Sequence, residues 1–262
     1  MIMTDRMTAV PSYPVRASVV FLVIFIAAYK VFSLAPIPQN LAYHQFVDTA
    51  GFGGISNICN VLSNVGFIFA GLLGLIRCKK PGSVQNNHLW VFFFAAVIGV
   101  GIGSAYYHWH PSNNTLFWDR LPMTLAFGSL FACFCSERFG ARFGRRTFLF
   151  TIHFGALSVV YWWVSEALGA GDLRLYILIQ YLPMVLIPLI LILFPGNPGR
   201  DRMYWMLLLA YLLAKVFEMQ DTAIYNFTSH LMSGHSLKHL AAAAGILVLQ
   251  PLGDSDKVNS QG

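Results

Sequence analysis

Leu89-Trp90-Val91-Phe92-Phe93-Phe94-Ala95-Ala96-Val97-Ile98-Gly99-Val100-Gly101-Ile102-Gly103-Ser104-Ala105-Tyr106-Tyr107-His108 runs for twenty residues without a lysine, arginine, aspartate or glutamate. Wound as an α-helix at about 1.5 Å per residue, it is about 30 Å long, the thickness of a bilayer's hydrocarbon core. Similar apolar stretches lie near 17–35, 58–76, 120–137, 147–165, 174–194, 203–218 and 234–251, which makes eight in all. Proline, glycine and asparagine clusters separate them, among them Pro36-Ile37-Pro38, Lys80-Pro81-Gly82, Pro111-Ser112-Asn113-Asn114 and Pro195-Gly196-Asn197-Pro198-Gly199. The chain has 262 residues, of which 56% are hydrophobic, 15% aromatic and 11% charged, with a mean hydropathy of +0.60. A soluble domain needs about 25% charged residues to keep its surface wet. These figures exclude disorder, coiled coil, collagen and a disulfide-rich secreted scaffold. The fold class they predict is all-α, a polytopic transmembrane helix bundle.

The net charge of +6 does not make a nucleic-acid surface, because the basic residues sit in short clusters between apolar runs. Arg6 and Arg16 precede the first stretch. Arg77, Lys79 and Lys80 follow the second, Arg138, Arg142, Arg145 and Arg146 the fourth, Arg200 and Arg202 the sixth, and Lys257 the eighth. The alternate loops, 36–57, 109–119 and 219–233, hold no lysine or arginine, and 166–174 holds only Arg174. Positively charged loops stay on the cytoplasmic side, so eight spans with both termini cytoplasmic are expected. The first stretch admits a signal-peptide reading, but Ser33-Leu34-Ala35-Pro36 is a poor cleavage site and a retained span is preferred. Cys59, Cys78, Cys133 and Cys135 lie in or beside apolar runs and read as small buried hydrophobes. No internal repeat is evident, and broken helices in two halves, the mark of a secondary transporter, are not obvious.

Ionisable residues inside a bilayer are costly and point to function. Ser104 and His108 are four apart at the end of the third stretch, and His235 and His239 repeat that spacing at the start of the eighth. Residues four apart share a helix face. Asp119 opens the fourth stretch, across a short turn from His108. With the orientation set by lysine and arginine, all five fall in the exoplasmic part of the membrane. Three imidazoles from two helices leave one tetrahedral position open, the pattern of a catalytic zinc site. Asp119 is then placed to orient water or accept its proton, and Ser104 to donate to a developing oxyanion. Taken singly, each histidine reads more readily as a packing or interfacial residue than as a ligand. The signal lies in the set.

Three motifs in order carry a resemblance: Gly103-Ser104-Ala105-Tyr106-Tyr107-His108, then Asp119-Arg120-Leu121-Pro122-Met123, then Gly234-His235-Ser236-Leu237-Lys238-His239. They resemble the alkaline ceramidases, within a superfamily of membrane hydrolases that includes the adiponectin receptors. The family pattern is S-x3-H, an aspartate eleven residues on, and H-x3-H in the last span. Asn60-Val61-Leu62-Ser63-Asn64 resembles the family's N-x2-S-N. The resemblance implies an intramembrane zinc amidase acting on a ceramide-like N-acyl lipid drawn from the bilayer. His108, His235 and His239 would carry the metal, Asp119 the proton, and Ser104 the oxyanion. It also implies a seven-span core over 36–252, preceded by an N-terminal segment at 1–16 and an extra span at 17–35, and followed by a cytoplasmic tail at 253–262. Where the family has an acidic, calcium-binding segment, this chain has Tyr43-His44-Gln45-Phe46-Val47-Asp48, with Asn57 at a position expected to be acidic. The resemblance therefore does not extend to calcium and leans towards a bacterial-type member.

Secondary expectations concern neighbours of the set. Glu218 and Asp221 read either as groups hydrogen-bonded to His235 or His239, or, for Glu218, as a local ion pair with Lys215. Lys238 is expected to point away from the ligand face and snorkel outward. Asp172 and Arg174 should pair in their loop, and the six tryptophans should sit mostly near the interfaces. A lipid esterase or another N-acyl amidase remains open, as does a non-enzymatic receptor, haem carrier or transporter using the histidines. The oligomeric state is not legible.

Overall fold

The computed structural model describes residues 12–79 and 87–249. Arg6, Lys80, Pro81, Gly82, Lys257 and the proposed tail at 253–262 lie outside the described residues. The chain is a bundle of helices: α1 Tyr13–Ser33, α2 Ile58–Ser63, α3 Val65–Cys78, α4 Asn87–Trp109, α5 Asn113–Phe139, α6 Ala141–Ala167, α7 Arg174–Leu193, α8 Pro198–Met219, α9 Asp221–Phe227 and α10 Gly234–Val248. A 3-10 turn at Leu41–His44 lies in the loop after α1. Among the described residues there is no strand, only an isolated bridge between Phe52 and Ile55. The all-α membrane bundle expected from composition is what the chain forms.

Helix ends follow local chemistry. Ser112 accepts from the Thr115 N–H while Thr115 Oγ1 accepts from the Ser112 N–H, a reciprocal cap that starts α5. Asn197 caps α8, with proline at the first helical position, and Ser233 caps α10 by accepting from the Ser236 N–H. Gly140, at φ 93°, turns the chain between α5 and α6, where a side chain would be strained. Among the described residues, five helical stretches are long and apolar enough to cross a membrane: Tyr13–Ser33, Ile58–Cys78, His88–Trp109, Ala141–Ala167 and Arg174–Leu193. The stretches near 120–137, 203–218 and 234–251 do form α5, α8 and α10. α5 and α8 carry ionised residues towards both ends, and α10 is only 15 residues long. Polar cargo lowers their hydropathy, and it is on these helices that most of the site's charged groups lie.

α4, α5 and α6 pack as sequential neighbours, α10 lies against α8 and α3, and α3 against α4. α1 packs on α7 and buries none of its residues, so it is peripheral to the bundle. The apolar core includes Trp90, Phe94, Phe134, Ile187 and Tyr204. At the end where α5 finishes and α8 begins, Arg138 pairs with Asp201 and Arg200 with Glu137, and Tyr204 donates to Glu137 at 3.0 Å. At the opposite end Arg174 forks onto Asp172 and donates to the Leu34 carbonyl, tying the two loops together. Those hydrogen bonds hold the Asp172 carboxyl at about 2, below its ordinary value. This loop pairing is the one the sequence predicts.

Two glycines allow the close approaches that shape the site. A methyl group at Gly103 would collide with the Trp118 carbonyl, so only glycine lets α4 and α5 cross this tightly beside Ser104. A methyl at Gly234 would strike the Phe217 carbonyl and the Asp221 backbone, where α10 enters beside the end of α8.

Candidate metal centre

His108 ends α4, and His235 and His239 occupy successive turns at the start of α10. Their ring centroids form a near-equilateral triangle: 4.7 Å for His108–His235, 5.0 Å for His108–His239 and 4.9 Å for His235–His239. One nitrogen from each lies within 4.8 Å of the others. Nε2 of His108 and Nε2 of His235 face one another at 3.2 Å. Nitrogens about 2.0–2.1 Å from a tetrahedral zinc stand about 3.3–3.4 Å apart, so this pair already has the spacing of two ligands on one ion. All three imidazoles are buried. A metal ion would satisfy nitrogens that otherwise converge on each other.

The third ring is oriented from behind. Ser63 Oγ donates to the Asn60 carbonyl at 2.9 Å and lies 2.8 Å from His239 Nδ1. With its own proton committed, the hydroxyl accepts from Nδ1–H, which leaves the Nε2 lone pair for the cluster. Asn60 is fully buried and acts as a hub. Its Oδ1 accepts from Ser236 at 2.8 Å and Ser233 at 3.2 Å, pinning the first turn of α10 to α2. The α2–α3 break at Ser63–Asn64 therefore fastens the helix that carries two of the three histidines. Asn57, with φ 50°, donates its amide to the His108 carbonyl at 2.8 Å and fixes the end of α4. Phe46 from the long loop covers the cluster, its ring 4.6 Å from His108 and 5.2 Å from His235.

Asp119 and Ser104 join the histidines in lining one cavity of about 290 Å³. The Ser104 hydroxyl faces the Asp119 carboxylate. The cavity is two-ended. Around the histidines its wall is polar, with Asp119, Arg120, Glu218 and Lys238; farther along the same helices it is made by Val97, Leu130, Leu207 and Ile246. A polar head and a hydrocarbon tail fit those two ends.

The remaining expectations divide. Asp221 Oδ1 accepts the backbone N–H of His235 at 2.7 Å, so it holds α10 and makes no bond to an imidazole. Glu218 sits between two ammonium groups, Lys215 at 2.6 Å and Lys238 at 2.7 Å. The local pair with Lys215 is present, and no histidine is bonded to this carboxylate. Lys238 does not snorkel outward; it lines the cavity, because three residues on from His235 it lies only about 60° round the helix. Trp90 and Trp162 are buried against neighbouring helices, and Trp162 stacks on Arg120. Cys59 is half-buried while Cys78, Cys133 and Cys135 are buried; all are free thiols. The roles of Asn60, Ser63 and Phe46 around the histidine cluster were not anticipated. The only sequence signal for the first two was the N-x2-S-N run.

A search of curated proteins returns no match. The family profile described as Ceramidase matches residues 54–253, a span that holds Asn60, Ser63, Ser104, His108, Asp119, His235 and His239. With most of the chain matched and the three histidines meeting at one point inside that span, the chain belongs to the ceramidase family.

Proposed function

We propose that this chain is an intramembrane zinc-dependent amidase that hydrolyses the N-acyl bond of ceramide or a related lipid, releasing a fatty acid and a long-chain base. The observation that carries the reading is the 3.2 Å approach of two imidazole nitrogens with a third ring oriented towards them by Ser63. A zinc ion on His108, His235 and His239 would supply Lewis acidity and make a water nucleophilic near neutral pH. The chain's own residues account for the other needs of amide hydrolysis. The apolar end of the cavity takes the acyl chain. Asp119 receives a proton from the attacking water and delivers it to the departing nitrogen. Ser104 donates to the carbonyl oxygen as negative charge grows there. Phe46 over the histidines limits bulk water, which strengthens each of these polar contacts. The orientation set by lysine and arginine supports both termini in the cytoplasm and the metal near the exoplasmic face, with α1 as an extra span outside a seven-span core.

The test is direct. The purified full chain is analysed for metal and incubated with a mixed lipid extract, and the species that shrink are identified. Stoichiometric zinc and loss of N-acyl lipids with release of fatty acid are expected. Consumption of ester lipids alone would replace the amidase by an esterase, and a Soret band from bound haem would sink the hydrolase.

Ser63→Ala provides a finer check on the metal. Losing the group that orients a ligating imidazole costs about 10–100-fold in metal affinity, and a drop of that size is expected in competition with a chelator. An unchanged affinity would remove Ser63 from the metal's support.

A further inference from the structure

Arg120 is a buried cation that no acid contacts in an ion pair among the described residues. It is 6% exposed, and none of the ion pairs includes it. Nη2 donates to the neutral amide oxygen of Gln39 at 2.7 Å, and Nη1 has no hydrogen-bond partner. The guanidinium is held by ring faces, 4.2 Å from the Trp162 centroid, 4.7 Å from Tyr176 and 5.7 Å from Tyr43. Those π-faces stabilise the charge in part and fix the plane of the fork. The cavity that Arg120 lines holds three cationic side chains, Arg120, Lys215 and Lys238, against two acids, Asp119 and Glu218. Both lysines share Glu218. Asp119, adjacent in sequence, attracts the guanidinium at longer range, but neighbours on a helix diverge by about 100° and the two form no ion pair. The chamber is therefore positive before any metal is added, and a metal raises the imbalance. A buried charge without a contacting counter-ion is costly, and a planar guanidinium is the side chain best matched to a two-oxygen anion.

We infer that Arg120 receives an anionic oxygen group of the substrate, a carboxylate or a phosphate, so that among the lipids the amidase reading admits, acidic relatives of ceramide are preferred over neutral ceramide itself. The acyl chain occupies the apolar end, and the anion belongs to the amine-side part of the molecule. The inference takes its reaction from the amidase reading, but its binding claim stands without turnover.

Binding separates the two. Three lipids with one acyl chain are compared: N-hexadecanoylethanolamine, its phosphate ester, and N-hexadecanoylglycine. Each is titrated by equilibrium dialysis into the full chain in a non-ionic detergent at fixed ionic strength. Wild type is expected to bind at least one of the anionic lipids about tenfold or more tightly than the neutral amide, and the two anionic arms tell phosphate from carboxylate. Arg120→Gln should abolish that preference while leaving affinity for the neutral lipid within about threefold, and Arg120→Lys should keep part of it. Equal binding of all three lipids by wild type overturns the inference, as does a preference that persists in Arg120→Gln. Should Arg120→Gln lose its helical circular dichroism, the wild-type comparison and Arg120→Lys decide: a full-sized preference in Arg120→Lys counts against a bidentate contact and overturns it. Anionic preference without hydrolysis of any lipid would remove only the amidase. Hydrolysis of neutral lipid without anionic preference would remove only this inference.

Discussion

Replacing His239 by alanine is expected to remove bound zinc and lipid hydrolysis together. The imidazole is one of three nitrogen donors brought within 4.8 Å of one another, and it is the one whose tautomer is fixed, by Ser63 at 2.8 Å. Without it, two nitrogens remain, too few for a catalytic site that normally keeps three protein ligands. The loss of affinity should exceed the about 10–100-fold expected when only an orienting partner is removed, so Ser63→Ala and His239→Ala form an ordered pair. Turnover should fall to background, because the water would no longer be acidified. Inductively coupled plasma analysis alongside a fatty-acid release assay reads both. Helical circular dichroism guards against a folding defect, since the variant also leaves a small cavity beside Phe67, whose ring lies 6.0 Å from His239. Full zinc occupancy with normal turnover would refute the metal assignment.

How much of this was readable in the chain depends on the range of the interaction. The apolar stretches announce helices because a bilayer admits backbone only when its hydrogen bonds close within the segment. The four-residue spacings at Ser104–His108 and His235–His239 are properties of one helix and survive translation into structure. The meeting of α4 with α10 required the family resemblance as well as the orientation of charged loops. What was not readable is contact between distant segments. Nothing near Asn60 says that its side chain will accept from Ser233 and Ser236, more than 170 residues away. Arg120 looks like an ordinary motif residue until Gln39, Tyr43, Trp162 and Tyr176 are seen to surround it. Lys238 is a different kind of miss. Its direction follows from helix geometry, since three residues from His235 is nearly a full turn, and its partner Glu218 could be found only from the packing of α8 on α10.

The second large effect is expected at Asp119, and it separates chemistry from metal binding. The carboxylate lies on α5, while all three imidazoles come from α4 and α10, and it is not among the three groups that converge as ligands. Asparagine has the same shape and still accepts a hydrogen bond from Ser104, so Asp119→Asn should fold and hold zinc nearly as wild type does. It cannot take a proton at neutral pH. General acid–base groups contribute about 10²–10⁴-fold to rate, and a fall in kcat of that order, at near-constant zinc content, is the expected result. Because the carboxylate would act in the transition state, kcat and kcat/KM should drop together while affinity for a lipid product changes little. Ser104→Ala should produce a smaller loss in the same two parameters, since water can replace a hydroxyl donor more readily than a placed base. Turnover within about threefold of wild type would end the proton-transfer role, given that even the weakest such groups contribute more. Loss of zinc along with turnover would instead make Asp119 part of the metal's own shell. The geometry argues against that outcome, because three imidazoles already provide the protein donors a catalytic zinc requires, and the remaining position must stay open for water.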